Sequence, residues 1–380
     1  MISKKVLFVA TVSKHIIRFH LPYLKWFRDN GYETHVASNG EDEIPYCDFK
    51  HLIPIERSPY SFKNIKAYFI LKRIINTNKY SLIHAHTPMG GVLARLAARK
   101  ARKKGCTVLY TAHGFHFYKG APLLNWLLYY PVEKYLAKYT DCIITINSED
   151  YEIVKRKHFK VKNFYKINGV GVNNERFKKP SDAVKQKLRI KHNYNANEFI
   201  IIYVAEFIKR KNHIFILKAI PHLAEKIPDL KVIFAGRGRL LNAMQKYSRK
   251  HKLSSYVQFT GFRTDIEELI SLADIGVSAS KQEGLPLNLV EEMFCGLPVV
   301  ASENRGHKEI VIHGFNGFLF PQNDIQLFSD YLYSLYINVD LRKKLGENAI
   351  LSTTKFSDNY SLKTMTGIYK YFIQGIITDK

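Results

Sequence analysis

The sequence predicts an α/β protein built from two doubly wound parallel sheets, and three observations predict it. The chain has 380 residues, more than one typical domain uses and enough for two. Short, continuously apolar runs alternate with segments of helical spacing in both halves, the pattern of strand–helix–strand units in a parallel sheet. A polar, Lys/Asn-rich stretch over residues 167–197 separates the two series, opening on Ile167-Asn168-Gly169-Val170-Gly171-Val172. The expected domains are therefore residues 1–185 and 190–357.

In the first half, residues 6–12 form a buried strand by their unbroken apolar character. Lys4 and Lys5 before this run resemble the start of a signal peptide, but the run is short, and the polar His15 and Arg18 come soon after it. A helix over 18–30 stops at Gly31, and 32–38 is the second strand. Residues 67–76 have helical spacing, 82–86 form a strand, and 92–104 form a helix after Gly90-Gly91. Residues 107–111 are a strand ending at Ala112-His113-Gly114, 123–139 a helix and 141–147 a strand. Ligands of such sheets sit beyond the carboxyl ends of the strands. His15, His86 and His113 all fall there. No metal-ligand spacing links the histidines and there is no Asp-x-Asp, so no metal site is indicated.

In the second half, strands are expected at 199–204, 231–235, 257–260, 275–278 and 299–301, with helices at 265–272 and 356–375. The terminal helix carries Tyr360, Met365, Ile368, Tyr369 and Phe372 on one face. Lys209-Arg210-Lys211 follows the first of these strands and suits a phosphate. Gly236-Arg237-Gly238 is by itself a weak signal.

Residues 278–302 concentrate the chemistry. Glu283 and Glu291 are separated by seven residues, with Gly284-Leu285-Pro286-Leu287 leading into a helix. Pro286 suits the first helical turn and Gly296 its C-terminal stop. Free amides at the helix start attract an anion, and two carboxylates beside it can accept bonds from hydroxyls. A ligand holding both phosphate and sugar hydroxyls fits.

The composition agrees. The chain carries 58 Lys+Arg against 33 Asp+Glu, so it is drawn to phosphorylated ligands or acidic membranes. It lacks the aromatic–basic interleaving of a nucleic-acid binder. Arg95, Arg99, Lys100, Arg102, Lys103 and Lys104 gather on one helix, as a solvated face or a contact for anionic headgroups. PLLNWLLYY (122–130) reads first as a core helix, with an interfacial patch of Trp126, Tyr129 and Tyr130 as the alternative. Cys47, Cys106, Cys142 and Cys295 are scattered, which suits a reducing cytoplasm, and no run reaches membrane-spanning length.

Lys211, Phe259-x-Gly261, Asp265-Ile266, Ala273-Asp274-Ile275, Glu283-Gly284-Leu285-Pro286, Glu291 and Gly296-x-Pro298-Val299-Val300, in that order, resemble the retaining glycosyltransferases of family 4. His84-Ala85-His86, Gly90-Gly91, His113 and Asn168-Gly169-Val170 agree in the first half, closest to capsule, exopolysaccharide and O-antigen enzymes of bacteria. The resemblance implies a GT-B fold with two domains facing a cleft, the first for the acceptor and the second for the nucleotide sugar. It also implies a terminal helix, about 358–380, packed back on the first domain. Lys211 would neutralise the leaving diphosphate, with Glu283 on donor-sugar hydroxyls and Glu291 on the ribose. Amides of 284–287 would hold the diphosphate, Phe262 and Arg263 the base, and His113 would face donor sugar and acceptor. His15 and Arg18 lie on the acceptor side.

The family's Gly-Arg before the lysine loop is Ala205-Glu206 here, so Arg210 is the candidate replacement. The expected activity is metal- and cofactor-independent transfer from a UDP-sugar to a lipid-linked saccharide, by a cytoplasmic protein peripheral to the inner membrane face. The alternatives are another GT-B enzyme, such as a UDP-sugar 2-epimerase, and a non-enzymatic polyanion binder.

Overall fold

The computed structural model describes residues 4–374, so residues 375–380 of the expected terminal helix lie outside the described residues. Two units divide the chain: residues up to Gly171 together with those from Asn359 onward, and Val172–Asp358. The division precedes the 185–190 boundary expected from composition, for a local reason. Val172 donates its amide to Phe356 and accepts from the amide of Asp358, both at 2.9 Å. Phe177 is buried in the second unit's core, and Asp182–Lys191 forms a helix there. From Val172 onward the polar stretch is therefore part of the second unit.

The first unit holds β1 (Lys5–Val12), β2 (Glu33–Asn39), β3 (Phe49–Leu52), β4 (Leu82–His86), β5 (Thr107–Ala112), β6 (Cys142–Thr145) and β7 (Asn163–Lys166). They form one parallel sheet in the order β3-β2-β1-β4-β5-β6-β7. The winding reverses between β1 and β4, and β4 is buried along its whole length. The second unit holds β8 (Phe199–Val204), β9 (Leu230–Ala235), β10 (Val257–Gly261), β11 (Ile275–Ser278), β12 (Val299–Ser302) and β13 (Gly317–Phe320). Their parallel order is β10-β9-β8-β11-β12-β13, with the reversal between β8 and β11. Helices covering both faces of a parallel sheet make its central strands continuously apolar.

The helices differ from expectation where Pro and Gly act. The segment expected over 18–30 is two helices, Ser13–Phe19 and Leu21–Asp29, broken at His20 with Pro22 in the second helix's first turn. The segment expected over 92–104 starts at Pro88 and divides into Pro88–Ala97 and Arg99–Arg102. Gly90 and Gly91 let it sit directly on the sheet: a Cβ on Gly91 would overlap the Tyr110 ring, and one on Gly90 would lie 3.1 Å from Ala10 Cα.

Two surface expectations are corrected. Arg95 does not belong to the basic face, because it is fully buried and pairs with Glu133 at 2.8 Å over the Tyr110 ring. The helix Leu123–Ala137 is not a core helix, since Leu123, Leu124 and Leu127 are 73%, 61% and 64% exposed. Nor do its aromatic residues form the outer patch, for Trp126, Tyr129 and Tyr130 pack inward against the first unit's core.

The terminal helix Asp358–Gln374 places Tyr369 inside the first unit, where its hydroxyl meets His84 Nδ1 at 2.7 Å. Met365 and Ile368 are buried with it, but Tyr360, expected on the same face, is 46% exposed.

Candidate active site

The reversal in the second sheet makes two loops meet. β8 ends at Val204, and its loop runs through the short turn Lys209–Lys211 to Asn212, whose φ of +54° ends the turn. β11 ends at Ser278, and its loop carries Glu283 into the helix Leu287–Phe294. A backbone bond ties the loops, Lys281 donating to the Arg210 carbonyl at 2.9 Å. Across that bridge Lys211 Nζ donates to Glu283 Oε1 at 2.5 Å. Arg210 Nη1 donates to Glu283 Oε2 at 3.1 Å and to the Gln282 carbonyl at 2.9 Å. Burial of Glu283 would by itself raise its carboxyl; the charges of Lys211 and Arg210 outweigh it and hold the group below the usual carboxylate range.

A polar scaffold holds this cluster. Tyr203, inside β8, donates its hydroxyl to the Lys211 carbonyl at 2.7 Å and meets Ser280 Oγ at 3.0 Å. The Ser280 carbonyl accepts from Ser302 Oγ at 2.7 Å and Asn304 Nδ2 at 2.9 Å. Gly306 passes so close that an added Cβ would lie 2.7 Å from Glu283 Cβ. His307 beside it is fully buried, and burial lowers its imidazole to about 4 despite the Glu283 charge. Gly236 and Gly238 have φ of +150° and +152°, and side chains there would run into Ala205 and Phe207. The glycine pair that looked weak in sequence is thus needed to wall the loop after β8.

The remaining expected residues divide. Pro286 is the N-cap of the helix Leu287–Phe294 rather than a first-turn residue, and Gly296 stops it with φ +80° as expected. Gly284, Leu285 and Leu287 surround that start, half-buried, and Glu291 is half-buried on the helix itself. Phe262 and Arg263 follow β10, two strands from β8; Phe262 is exposed under Arg237, and Arg263 pairs with Asp265 at 2.5 Å. Glu206 is exposed and outside this cluster, whereas Arg210 is in it. Sequence reading missed Glu292, whose fully buried carboxyl is pushed well above the usual range by burial and then by Glu291. Its signal was the Glu291-Glu292 pair, since adjacent residues on a helix cannot share a face.

The first sheet's reversal is filled differently. Thr11 and Thr87 bridge β1 and the residue after β4, hydroxyl to hydroxyl at 2.8 Å. His113 lies among other histidines, with ring centroids 4.8 Å from His15, 5.8 Å from His20 and 5.7 Å from His86. One ring nitrogen from each of the four lies within 4.8 Å of the others. The sequence showed no spacing that links them, because the linkage is made by strand adjacency, and it did not single out His20 at all. His15 and Arg18 line a cavity of about 730 Å³ in the same unit.

Comparison with known proteins decides the family. Residues 184–352 match the glycosyl transferases group 1 family, and residues 5–147 match a family described as glycosyl transferase 4-like. The Bacillus subtilis protein named "Putative glycosyltransferase EpsD" is 47% identical over 371 residues, 98% of this chain and 97% of its own. The chain belongs to the group 1 glycosyltransferases. A second relative of this enzyme, the Escherichia coli UDP-Gal:alpha-D-GlcNAc-diphosphoundecaprenol alpha-1,3-galactosyltransferase, is 28% identical over 78% of this chain and 79% of its own. Among solved structures, Anabaena HepE in complex with UDP superposes with a TM-score of 0.78 at 19% identity, over 96% of this chain and 99% of HepE. The two parallel-sheet units and this likeness make the fold GT-B.

Proposed function

We propose that this glycosyltransferase moves a sugar from a UDP-sugar to a hydroxyl of a lipid-linked saccharide, with retained anomeric configuration, in the synthesis of a surface polysaccharide. The Lys211–Glu283–Arg210 cluster at the sheet reversal carries the reading. It places two cations suited to a diphosphate against a carboxylate suited to sugar hydroxyls. Ligands of open α/β sheets bind at this kind of reversal.

In this reading the amides of 284–287 hold the diphosphate, Glu291 accepts from the ribose and Glu283 orients the donor sugar. Phe262 and Arg263 border the base. The acceptor oxygen attacks the anomeric carbon on the face from which the phosphate leaves. The carbon–oxygen bond to phosphate breaks, and the departing phosphate oxygen takes the acceptor's proton. No side chain forms a covalent bond. Lys211 and Arg210 stabilise the charge developing on the diphosphate, the main electrostatic contribution, so this step calls on no resident metal.

The UDP of HepE and the UDP-galactose of the E. coli enzyme support a uridine donor. The same relative's diphosphoundecaprenol acceptor supports a lipid carrier. On this chain, the first unit's cavity has largely apolar walls, including Val12, Phe19 and Met89, with Lys14, Arg18 and Arg57 as its cations. Leu128 and Val132 line it too, on the helix that exposes Leu123, Leu124 and Leu127. Exposed Lys119, Lys134 and Lys138 lie on or near that helix. Leucines flanked by lysines suit the surface of an acidic bilayer, which would hold the enzyme at the cytoplasmic face. No helix among the described residues is long and apolar enough to cross a membrane.

The test is transfer from a panel of UDP- and GDP-sugars to a diphosphoundecaprenol-linked saccharide, with the product anomer read by NMR. Activity with a UDP-sugar, retention, and loss in Lys211→Ala and Glu291→Ala are expected. Unchanged transfer in both variants, or an inverted product, would overturn the reading.

A further inference from the structure

Three neighbouring strand ends bring four imidazoles together in the first unit. His15 lies on the helix after β1 and His20 just beyond it; His86 ends β4 and His113 follows β5. His20 and His86 are each 1% exposed. Neither ring nitrogen of His20 or of His86 has a hydrogen-bond partner, and the same holds for Nε2 of His15 and of His113. That gathers six unsatisfied nitrogens in one place, each a buried polar atom that folding leaves without a partner.

Neighbouring groups do not supply the missing bonds. His84, tilted against His86, is already spent on Tyr369 and Thr111 at 2.7 and 2.8 Å. Phe8 packs against the His20 and His86 rings and offers no polar atom. Each neutral imidazole presents one lone pair, and four lone pairs within 4.8 Å of one another have a common solution.

We propose that His15, His20, His86 and His113 bind one divalent transition-metal ion of the zinc class. Imidazole nitrogen suits such ions, and four ligands complete a tetrahedral shell. Zinc–nitrogen bonds of about 2.0–2.1 Å set the nitrogens roughly 3.3 Å apart, so the rings draw inward by on the order of 1 Å on binding. The His20 and His86 rings, stacked at 3.7 Å, must tilt apart for this. Burial, the leading influence at all four, keeps the imidazoles neutral, which is the form that ligates. The ion would tie the ends of β1, β4 and β5 together behind the cavity that His15 lines. It gives His113 a ligand's role instead of one toward the sugars.

The experiment uses the full-length protein stripped with chelator and then titrated with Zn²⁺ or Co²⁺ alone. Expected are one ion per chain, a tetrahedral Co²⁺ absorption spectrum and a raised thermal midpoint. His20→Asn and His86→Asn should each weaken binding by at least about 100-fold. A second group, His192, Asp265 and Glu268, could also attract an ion, although Lys191 and Arg263 already pair its acids. Glu268→Gln should therefore leave binding unchanged. Far-UV circular dichroism and a cooperative thermal transition of the metal-free protein report whether each variant is folded, independently of the ion. The proposal is overturned by substoichiometric binding, by an octahedral Co²⁺ spectrum, by binding that survives in folded His20→Asn/His86→Asn, or by loss in Glu268→Gln.

Discussion

Between β1 and β4 the first sheet's reversal is filled by two threonines and neutral imidazoles; between β8 and β11 the second's is filled by two cations and a buried carboxylate. Both positions come from one topology, a parallel sheet whose winding changes direction. The difference lies in what the loops carry. The second unit's loops bring charge that suits a diphosphate and hydroxyls. The first unit's loops bring uncharged nitrogen next to an apolar cavity with cations. One architecture thus provides two chemically distinct sites, which is what an enzyme handling two unlike substrates requires.

Unbalancing the charge at the second reversal should damage the protein most. Glu283→Ala leaves Lys211 and Arg210 without their carboxylate in a site where the Glu283 and Lys211 side chains are 7% and 14% exposed. A loss of about 3–5 kcal/mol is expected for removing one partner of a buried pair, read by chemical denaturation. Lys211→Ala should lower kcat by about 10²–10³-fold, as loss of one preorganised stabilising group does. A fall confined to KM would mean that Lys211 acts only in binding.

Acid sharpens the contrast within the second site. His307 is held neutral by burial at about 4 in the folded protein, against 6.5 for the free group. Below 6.5 the unfolded chain takes the proton first, so stability is full above that pH and falls as pH drops toward 4. The loss is on the order of 3 kcal/mol. Glu283, with its folded value depressed, adds loss of the same sign only below its ordinary 4.5. Denaturation of wild type and His307→Gln between pH 7 and 4 should show the shallower slope in the variant. The smallest effect on stability belongs to the exposed leucines. Leu124→Ser with Leu127→Ser should change it by no more than about 0.5 kcal/mol per site, while cosedimentation with acidic vesicles drops several-fold.

Much of the fold was legible because central parallel strands are unbroken apolar runs; β8 and β11 match their expected limits residue for residue. The short strands β3, β7 and β13 were not, since Phe49–Leu52 and Asn163–Lys166 are half exposed and Gly317–Phe320 opens on glycine and is fully buried only at its ends. In the second site Lys211, Glu283 and Glu291 stood out in sequence, because the first two lie in loops after apolar strands and the third on the helix that the Gly284–Leu287 turn opens. The pairing of Arg210 with Glu283 and the burial of His307 and Glu292 depend on which strands are neighbours. The histidine cluster joins positions nearly a hundred residues apart, and no local pattern announces it. Arg95 shows the converse error: it counted as surface charge until packing against Tyr110 and Glu133 removed it.

The second sheet's reversal is expected to bind a nucleoside diphosphate through Lys211 and Glu291. Thermal unfolding with and without UDP tests it most directly. Saturating UDP at about 100 times its dissociation constant should stabilise wild type by roughly 2.7 kcal/mol. Lys211→Ala and Glu291→Ala should each lose most of that shift, whereas Leu124→Ser should keep it. A shift of equal size in all four proteins would mean that neither Lys211 nor Glu291 holds the nucleotide.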